Sequence, residues 1–271
     1  MNKPLPGLTL LVKPASSLCG MRCAYCFYAD EAAHRLQPSM GLMTEETAAR
    51  LIDAAFAAVR PGGPVSFAFQ GGEPTLAGPD FFRRFCEMAD AANAGRHPLS
   101  YSIQTNGLLI DEAWADLLRE RRFLVGVSVD GPEALHNECR RDARGAGTWE
   151  RAVRAVKLLR QRGAEVNLLC VVHARTAGQP KKVYRALRDM GTGWLQFIPC
   201  LDPLQGPPSG YSLKAEDYGR FLCGVFDCWE EDWRRGRYVS IRQFEDWVRM
   251  AAGLPPDTCA SCGACGSYLV A

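Results

Sequence analysis

Six short, almost unbroken apolar runs, each followed by a stretch of helical periodicity, set the limits on what this chain can fold into. The runs are Leu8–Val12, Val65–Phe69, Leu99–Gln104, Phe123–Val129, Glu165–Val172 and Trp194–Pro199. A strand wetted on one face alternates apolar with polar residues, whereas a strand covered on both faces does not need to. Between the runs, apolar residues recur at helical spacing. Ala48, Leu51, Ile52, Ala55, Phe56 and Val59 follow Thr44, a predicted N-cap, and Phe82, Phe85, Met88, Ala89 and Ala92 follow Pro79, a predicted first-turn proline. Asp111 opens a third helix and Thr148 a fourth that Gly163 closes; Pro180 to Met190 forms a fifth. A sixth carries Tyr218, Phe221, Leu222, Val225, Phe226, Trp229 and Trp233 on one side, a stripe expected to face the core. Strands alternating with helices imply right-handed parallel βαβ units. A closed barrel of this kind takes eight units and about 250 residues. Six units fit an open, partial (β/α)6 TIM-like barrel, expected over residues 1–235, with a short cysteine-rich tail over 236–271.

The balance of 32 basic and 30 acidic residues leaves a net charge of +2, and no run of five or more Lys/Arg occurs, so neither nucleic acid nor a membrane surface is an expected partner. The apolar runs fall short of the roughly 18 residues of a membrane span. The N-terminus lacks the pattern of a secretory leader, so a soluble cytoplasmic protein is expected. Twelve cysteines are many for such a protein, and a disulfide scaffold suits neither the size nor the compartment. Cys19, Cys23 and Cys26 cluster near the start and Cys259, Cys262 and Cys265 near the end, while six others are scattered as buried small hydrophobes tend to be.

The strongest chemical signal is CGMRCAYC, Cys19 to Cys26, just after the first strand. A C-x3-C-x2-C triplet places three thiolates on one loop, which binds three irons of a cubane and leaves the fourth open to a ligand. The competing reading, structural zinc, wants four tetrahedral ligands, and no fourth Cys or His lies at finger spacing. Tyr25, Phe27 and Tyr28 supply aromatic rings that can shield a cluster or stack on a base. The second signal is QGGEP, where Gly71 and Gly72 at a strand exit permit close backbone approach to a ligand and Glu73 offers a carboxylate to an ammonium group. The other strand exits are polar as well. Ser128 and Asp130 end the fourth, Arg140 follows in a loop where it can pair with a carboxylate, and Leu201 follows the sixth.

The triplet followed by GGEP resembles the radical S-adenosylmethionine (SAM) superfamily. The stretches LLVKPASSLCGMRCAYCFY, FAFQGGEPTLAG, SIQTNG, FLVGVSVDGP, LLCVV, LQFIPCLDPL and VSIRQFE resemble, more narrowly, the anaerobic sulfatase-maturating enzymes. The resemblance implies a 4Fe–4S cluster on Cys19, Cys23 and Cys26. The open iron binds SAM, whose reductive cleavage gives a 5′-deoxyadenosyl radical. It implies SAM contacts from Tyr25, Gly71, Gly72, Glu73, Ser128, Arg140 and Leu201, and it places Gln70 and Tyr28 toward the peptide. The implied reaction oxidises a Cys or Ser residue of a nascent sulfatase to formylglycine, with electrons from a flavodoxin- or ferredoxin-like donor. In that family the barrel is followed by a SPASM-type domain with two auxiliary 4Fe–4S clusters, and Cys259 and Cys265 match its first ligands. Cys262 is an extra thiol and a possible third ligand of a short site. The family's general-base Asp has no counterpart before Ala271, so no catalytic base is assigned. The expectation is a shortened chain that assembles the SAM cluster and turns over peptide poorly. A radical SAM maturase that forms thioether or other crosslinks, and a fragment that only binds SAM or peptide, stay open at this point.

Overall fold

The computed structural model describes residues 3–256 and 268–271. Its centre is an open sheet of eight parallel strands. β1 (Leu8–Val12), β2 (Val65–Phe69), β3 (Leu99–Thr105), β4 (Phe123–Ser128), β5 (Glu165–Val172) and β6 (Trp194–Pro199) lie side by side in chain order. β7 (Ser240–Ile241) adds to the β6 edge and β8 (Tyr268–Val270) to the β1 edge. The six strand runs of the sequence are the six central strands, with β3 one residue longer and β4 one shorter than expected. Because all pairings are parallel, every strand delivers its C-terminal end to the same rim.

The helices form where their end signals stand. Thr44 caps α2 (Glu45–Ala58) by accepting from Thr47 N at 3.2 Å, and Asp111 caps α4 (Glu112–Glu120) by accepting from Trp114 N at 2.9 Å. Pro79 opens α3 (Pro79–Asn93). These helices cover one face of the sheet with a dense aromatic layer. Phe67 meets Phe56 and Phe85 edge-on, and Phe69 meets Phe82 with ring centroids 4.8 Å apart. Such pairs add about 0.5–1.5 kcal/mol each to the burial of the rings. The opposite face carries Ser66 and Ser100, whose hydroxyls lie 2.7 Å apart across β2 and β3.

Some elements had no usable signal. β7 and β8 have two and three residues, too few to display a period. α1 (Phe27–Ala33), α5 (Glu133–Cys139), α7 (Ala174–Ala177) and α10 (Arg242–Ala251) complete the helices alongside α6 (Trp149–Gln161), α8 (Pro180–Arg188) and α9 (Ala215–Arg234). The aromatic stripe of α9 needs correction. Phe221, Leu222 and Val225 are buried, but Phe226 and Trp233 are exposed, because the stripe is wider than the face that packs and Trp233 sits in the last turn. In the same last turn, buried Asp232 holds Arg188 at 2.7 Å and the Tyr184 hydroxyl at 3.0 Å, tying α8 to α9. The expected boundary at 235/236 falls between α9 and β7; Ile241 and Phe244 of the following segment are buried in the same core as the strands. Cys259, Cys262 and Cys265 lie outside the described residues. Among the described residues no helix is long and apolar enough to cross a membrane.

Candidate active site at the C-terminal rim of the sheet

The cysteine loop leaves β1 and is held from two sides by main-chain hydrogen bonds. Glu73 N, after β2, donates to Leu18 O at 2.7 Å. From the segment after β4, Ala143 N donates to Gly20 O at 3.0 Å, while Arg22 N donates to Arg141 O at 2.8 Å and Ala24 N to Cys139 O at 2.9 Å. Cys26 then starts α1. The glycines of QGGEP make the first contact possible. Gly72 has φ +36°, and a Cβ there would stand 2.3 Å from Leu18 O and 2.8 Å from Ser17 C. Gly71, at φ +79°, lies equally close against the Lys13 side chain. At Gly72 the backbone thus approaches the cysteine loop closely, as only a glycine allows.

Cys19, Cys23 and Cys26 are free and partly buried. Cys19 Sγ accepts from Met21 N at 3.4 Å and from Asn106 Nδ2 at 3.8 Å. Burial raises the Cys19 thiol above its ordinary value and pushes Cys23 up to about 11, in the second case against the pull of the Arg140 charge. Without a cation the Cys19 and Cys23 sulfurs are therefore protonated at neutral pH, and metal binding would supply the charge that deprotonates them. Among the described residues no three His, Cys, Asp or Glu side chains close on one ion position. A cubane sets its cysteine sulfurs on separate irons and does not require them to close on one ion.

Glu73 is buried, and its carboxylate ties loops together. Oε1 accepts from Thr75 N at 3.1 Å, Thr75 Oγ1 at 2.6 Å and Thr105 Oγ1 at 2.7 Å, and Oε2 accepts from Asn106 N at 2.8 Å. Burial is the largest influence on this carboxyl and raises its pKa despite those donors. Oε2 retains acceptor capacity for one more donor.

Tyr25 and Arg140 meet, as a shared site requires. Arg140 Nη1 donates to the Tyr25 hydroxyl at 3.0 Å, and that hydroxyl donates to Asp130 Oδ2. Arg140 is buried, and its Nε has no partner. A buried guanidinium donor left open suits an acidic ligand group, and it stands near Cys23. Three clustered thiols, one unpaired guanidinium N–H and a carboxylate with spare capacity fit a 4Fe–4S cluster and the carboxylate and ammonium of SAM. Ser128 ends β4, Leu201 follows β6 with its side chain exposed, Gln70 follows β2 with its N–H on Val12 O at 3.0 Å, and Tyr28 lies in α1 with Lys13 Nζ 5.1 Å from its ring centre. All four occupy the rim that carries the thiols.

Three participants carry no local signal of a role at the site. Asp130 is a polar residue at a strand exit, His136 lies in α5 before Arg140, and Thr148 stands at the start of α6. The Thr148 hydroxyl makes no cap bond and donates instead to Arg140 O at 2.8 Å. His173, at the start of α7, stacks on Tyr25 with centroids 5.6 Å apart and lies 3.5 Å from Cys139 Sγ. A hollow of about 400 Å³ adjoins the cysteine loop, lined by Gly20, Glu73, Asn106, Leu109 and Arg144 among others. Another of about 470 Å³, lined by Leu124, Val166 and Trp194, lies at the opposite end of the strands, and none of the residues above lines it.

Residues 14–187 match the radical SAM superfamily. The cysteine-type anaerobic sulfatase-maturating enzyme of Clostridium perfringens is 42% identical over 268 residues, which cover 98% of this chain and 72% of that protein. The serine-type anaerobic sulfatase-maturating enzyme of Klebsiella aerogenes is 34% identical over 271 residues, 99% of this chain and 65% of that protein. The solved structure of native anSMEcpe with bound AdoMet and Cp18Cys peptide superposes with a TM-score of 0.89 at 41% identity, covering 97% of this chain and 71% of that one. Streptococcus suis SuiB bound to precursor peptide SuiA, at 16% identity and a TM-score of 0.63, shares the fold. The chain belongs to the radical SAM superfamily and, within it, to the anaerobic sulfatase-maturating enzymes.

Proposed function

We propose that the protein is a radical SAM oxidoreductase that converts a Cys or Ser residue of a sulfatase peptide to formylglycine. The single observation that carries this reading is the meeting of the cysteine triplet with Tyr25, Glu73 and Arg140 at one rim of the sheet. When bound, the 4Fe–4S cluster and SAM supply the one-electron cleavage and the hydrogen-abstracting radical. The chain's own groups hold and orient them. Cys19, Cys23 and Cys26 take three irons. Arg140 Nε offers a charged donor to the SAM carboxylate, and the Gly71–Gly72–Glu73 turn faces its ammonium group. Tyr25, Ser128 and Leu201 contact the nucleoside part, and Gln70 and Tyr28 face the peptide. Cys259 and Cys265 would begin an auxiliary 4Fe–4S site. A flavodoxin- or ferredoxin-like protein is the proposed electron source, and the cytoplasm the proposed compartment, since the nine described cysteines are all unpaired thiols.

The test is anaerobic reconstitution with iron and sulfide, followed by EPR, a 5′-deoxyadenosine assay and mass spectrometry of a sulfatase-derived Cys peptide. The expected outcome is a reducible cluster, SAM cleavage that Cys23→Ala abolishes, and an aldehyde in place of the target side chain. A crosslinked peptide would instead assign the chain to thioether or crosslink formation. A protein that never acquires an iron chromophore would sink both readings.

A further inference from the structure

Behind Tyr25 and Arg140 runs a closed hydrogen-bonded circuit. The Tyr25 hydroxyl donates to Asp130 Oδ2 and accepts from Arg140 Nη1. Asp130 N–H donates to His136 Nδ1 at 3.3 Å, which puts the His136 proton on Nε2. Nε2 lies 3.0 Å from Thr148 Oγ1 and donates to it, and the Thr148 hydroxyl passes its own proton to Arg140 O at 2.8 Å. The ring therefore closes on Arg140 twice, at its guanidinium and at its carbonyl, with each donor matched to one acceptor. Asp130 Oδ1 also accepts from Val171 N at 3.0 Å, two residues beyond the last β4–β5 pair, so the carboxylate is anchored to the sheet. Asp130 and His136 are fully buried and Thr148 nearly so.

We infer that Asp130, His136 and Thr148 are positioning residues of the cofactor site, which set the Tyr25 ring and the Arg140 guanidinium for SAM. This rests on the proposed function and extends it to residues that touch no cofactor themselves. A fully buried carboxylate is costly to keep for a strand-end cap alone, which a neutral side chain could provide. Its second oxygen is spent on the one phenol inside the cysteine triplet. The tyrosine hydroxyl has a single proton, so an amide at position 130 can cap Val171 but presents its NH2 to a phenol that already accepts from Arg140. Networks satisfied in this all-or-none way also lock their members into one arrangement.

The test compares Asp130→Asn, Tyr25→Phe, their double variant, Thr148→Val and Thr148→Ser, all in the reconstituted full chain. SAM dissociation constants, KM and kcat for SAM, and the EPR spectrum of the reduced cluster with and without SAM are recorded beside iron content and thermal midpoint. Asp130→Asn is expected to weaken SAM binding about 10–100-fold, the usual loss when a partner behind a ligand-holding residue is removed. It should raise KM more than it lowers kcat, and alter the SAM-induced change in the EPR spectrum at unchanged iron content. In the Tyr25→Phe background the same change should cost much less, because the shared link is already gone. Thr148→Val should weaken SAM binding and Thr148→Ser restore it, a comparison that stands even where Asp130→Asn does not fold. Wild-type SAM affinity and EPR response in both Asp130→Asn and Thr148→Val would overturn the inference, as would strictly additive losses. A wild-type chain that builds no cluster would defeat the proposed function first, and this inference with it; a working wild type beside indifferent variants defeats this inference alone.

Discussion

Glu73→Gln separates two roles for that carboxylate. The substitution keeps the shape and removes the charge and one acceptor. If the amide oxygen stays at the Oε1 position, it still accepts from Thr75 and Thr105, but the NH2 then points at Asn106 N, donor against donor. If the amide flips, it opposes the Thr75 and Thr105 donors instead. The first pose costs less and leaves one buried N–H unpaired, about 1–3 kcal/mol. Three charge-assisted bonds also become neutral ones, roughly half as strong. In the other direction, removing a charge relieves the burial that raises this carboxyl's pKa. The net expectation is a loss of about 1–3 kcal/mol at pH 7. Anaerobic urea unfolding of the cluster-free chain measures it, and at an m-value of about 2 kcal/mol/M the midpoint should fall by about 0.5–1.5 M. The pH dependence gives a second check. A carboxyl titrating above its unfolded value contributes most below the unfolded pKa of 4.5 and less as pH rises through the folded pKa, so the gap between Glu and Gln should widen on acidification. A variant within about 0.5 kcal/mol of wild type at pH 7 would refute the reasoning. It would mean that the Thr75, Thr105 and Asn106 donors find other partners and that Glu73 serves a ligand only.

Three further outcomes follow from the same geometry. Gly72→Ala should destabilise the chain by about 3 kcal/mol, overpacking plus a left-handed φ, and lower iron uptake on reconstitution, while Gly20→Ala, whose Cβ would meet nothing, should unfold at the wild-type urea midpoint. Burial, aided by the Arg140 charge, pushes the His136 pKa down to about 2, so its contribution is complete above the unfolded value of 6.5 and is lost as pH falls below it, by about 1.4 kcal/mol per pH unit. Urea titrations from pH 7 to pH 5 should show that slope in wild type and lack it in His136→Asn. Burial pulls the Asp232 carboxyl up, but its bonds to Arg188 and Tyr184 outweigh this and hold it below 3.8; Asp232→Asn should therefore cost about 2 kcal/mol at pH 7, with the difference shrinking as pH falls past 3.8. An undiminished gap at pH 3 would show that the asparagine fails by shape rather than by charge.

The central strands and main helices were legible because their signals are local and redundant. Val65, Phe67 and Phe69 are buried on the face that α2 and α3 cover, with the smaller Ser66 and Ala68 half-buried on the other, and Thr44 and Asp111 announce helices by caps that the structure uses. The edges were not legible, since the two residues of β7 gain their extended form from Trp194 and Leu195 rather than from any period of their own. At the site, the thiols, the glycine turn and Arg140 declare themselves by spacing and strand position. Asp130, His136 and Thr148 do not, because their importance lies in contacts that cross more than one loop. A buried His in HNEC and a Thr before a helix each have ordinary local explanations. Only the distances of 3.3, 3.0 and 2.8 Å along the chain from Asp130 N to Arg140 O connect them.

That difference has a consequence for how the cofactor site is made. In small zinc domains the metal supplies the folding energy, and the ligand loop is unformed without it. Here the cysteine loop is fixed by four main-chain hydrogen bonds, through Leu18, Gly20, Arg22 and Ala24, to segments that follow β2 and β4. Those segments are in turn set by a sheet whose core owes nothing to iron. The three thiols are therefore placed before any metal arrives, and Tyr25 and Arg140 are placed by the circuit behind them. On this argument Cys23→Ala abolishes cluster chemistry while leaving the unfolding midpoint of the cluster-free chain near the wild-type value. Gly72→Ala does the reverse: it keeps all three ligands and loses the loop that presents them. The glycine matters to the cluster through the packing of the loop that presents it, and the cysteine matters to it through chemistry alone.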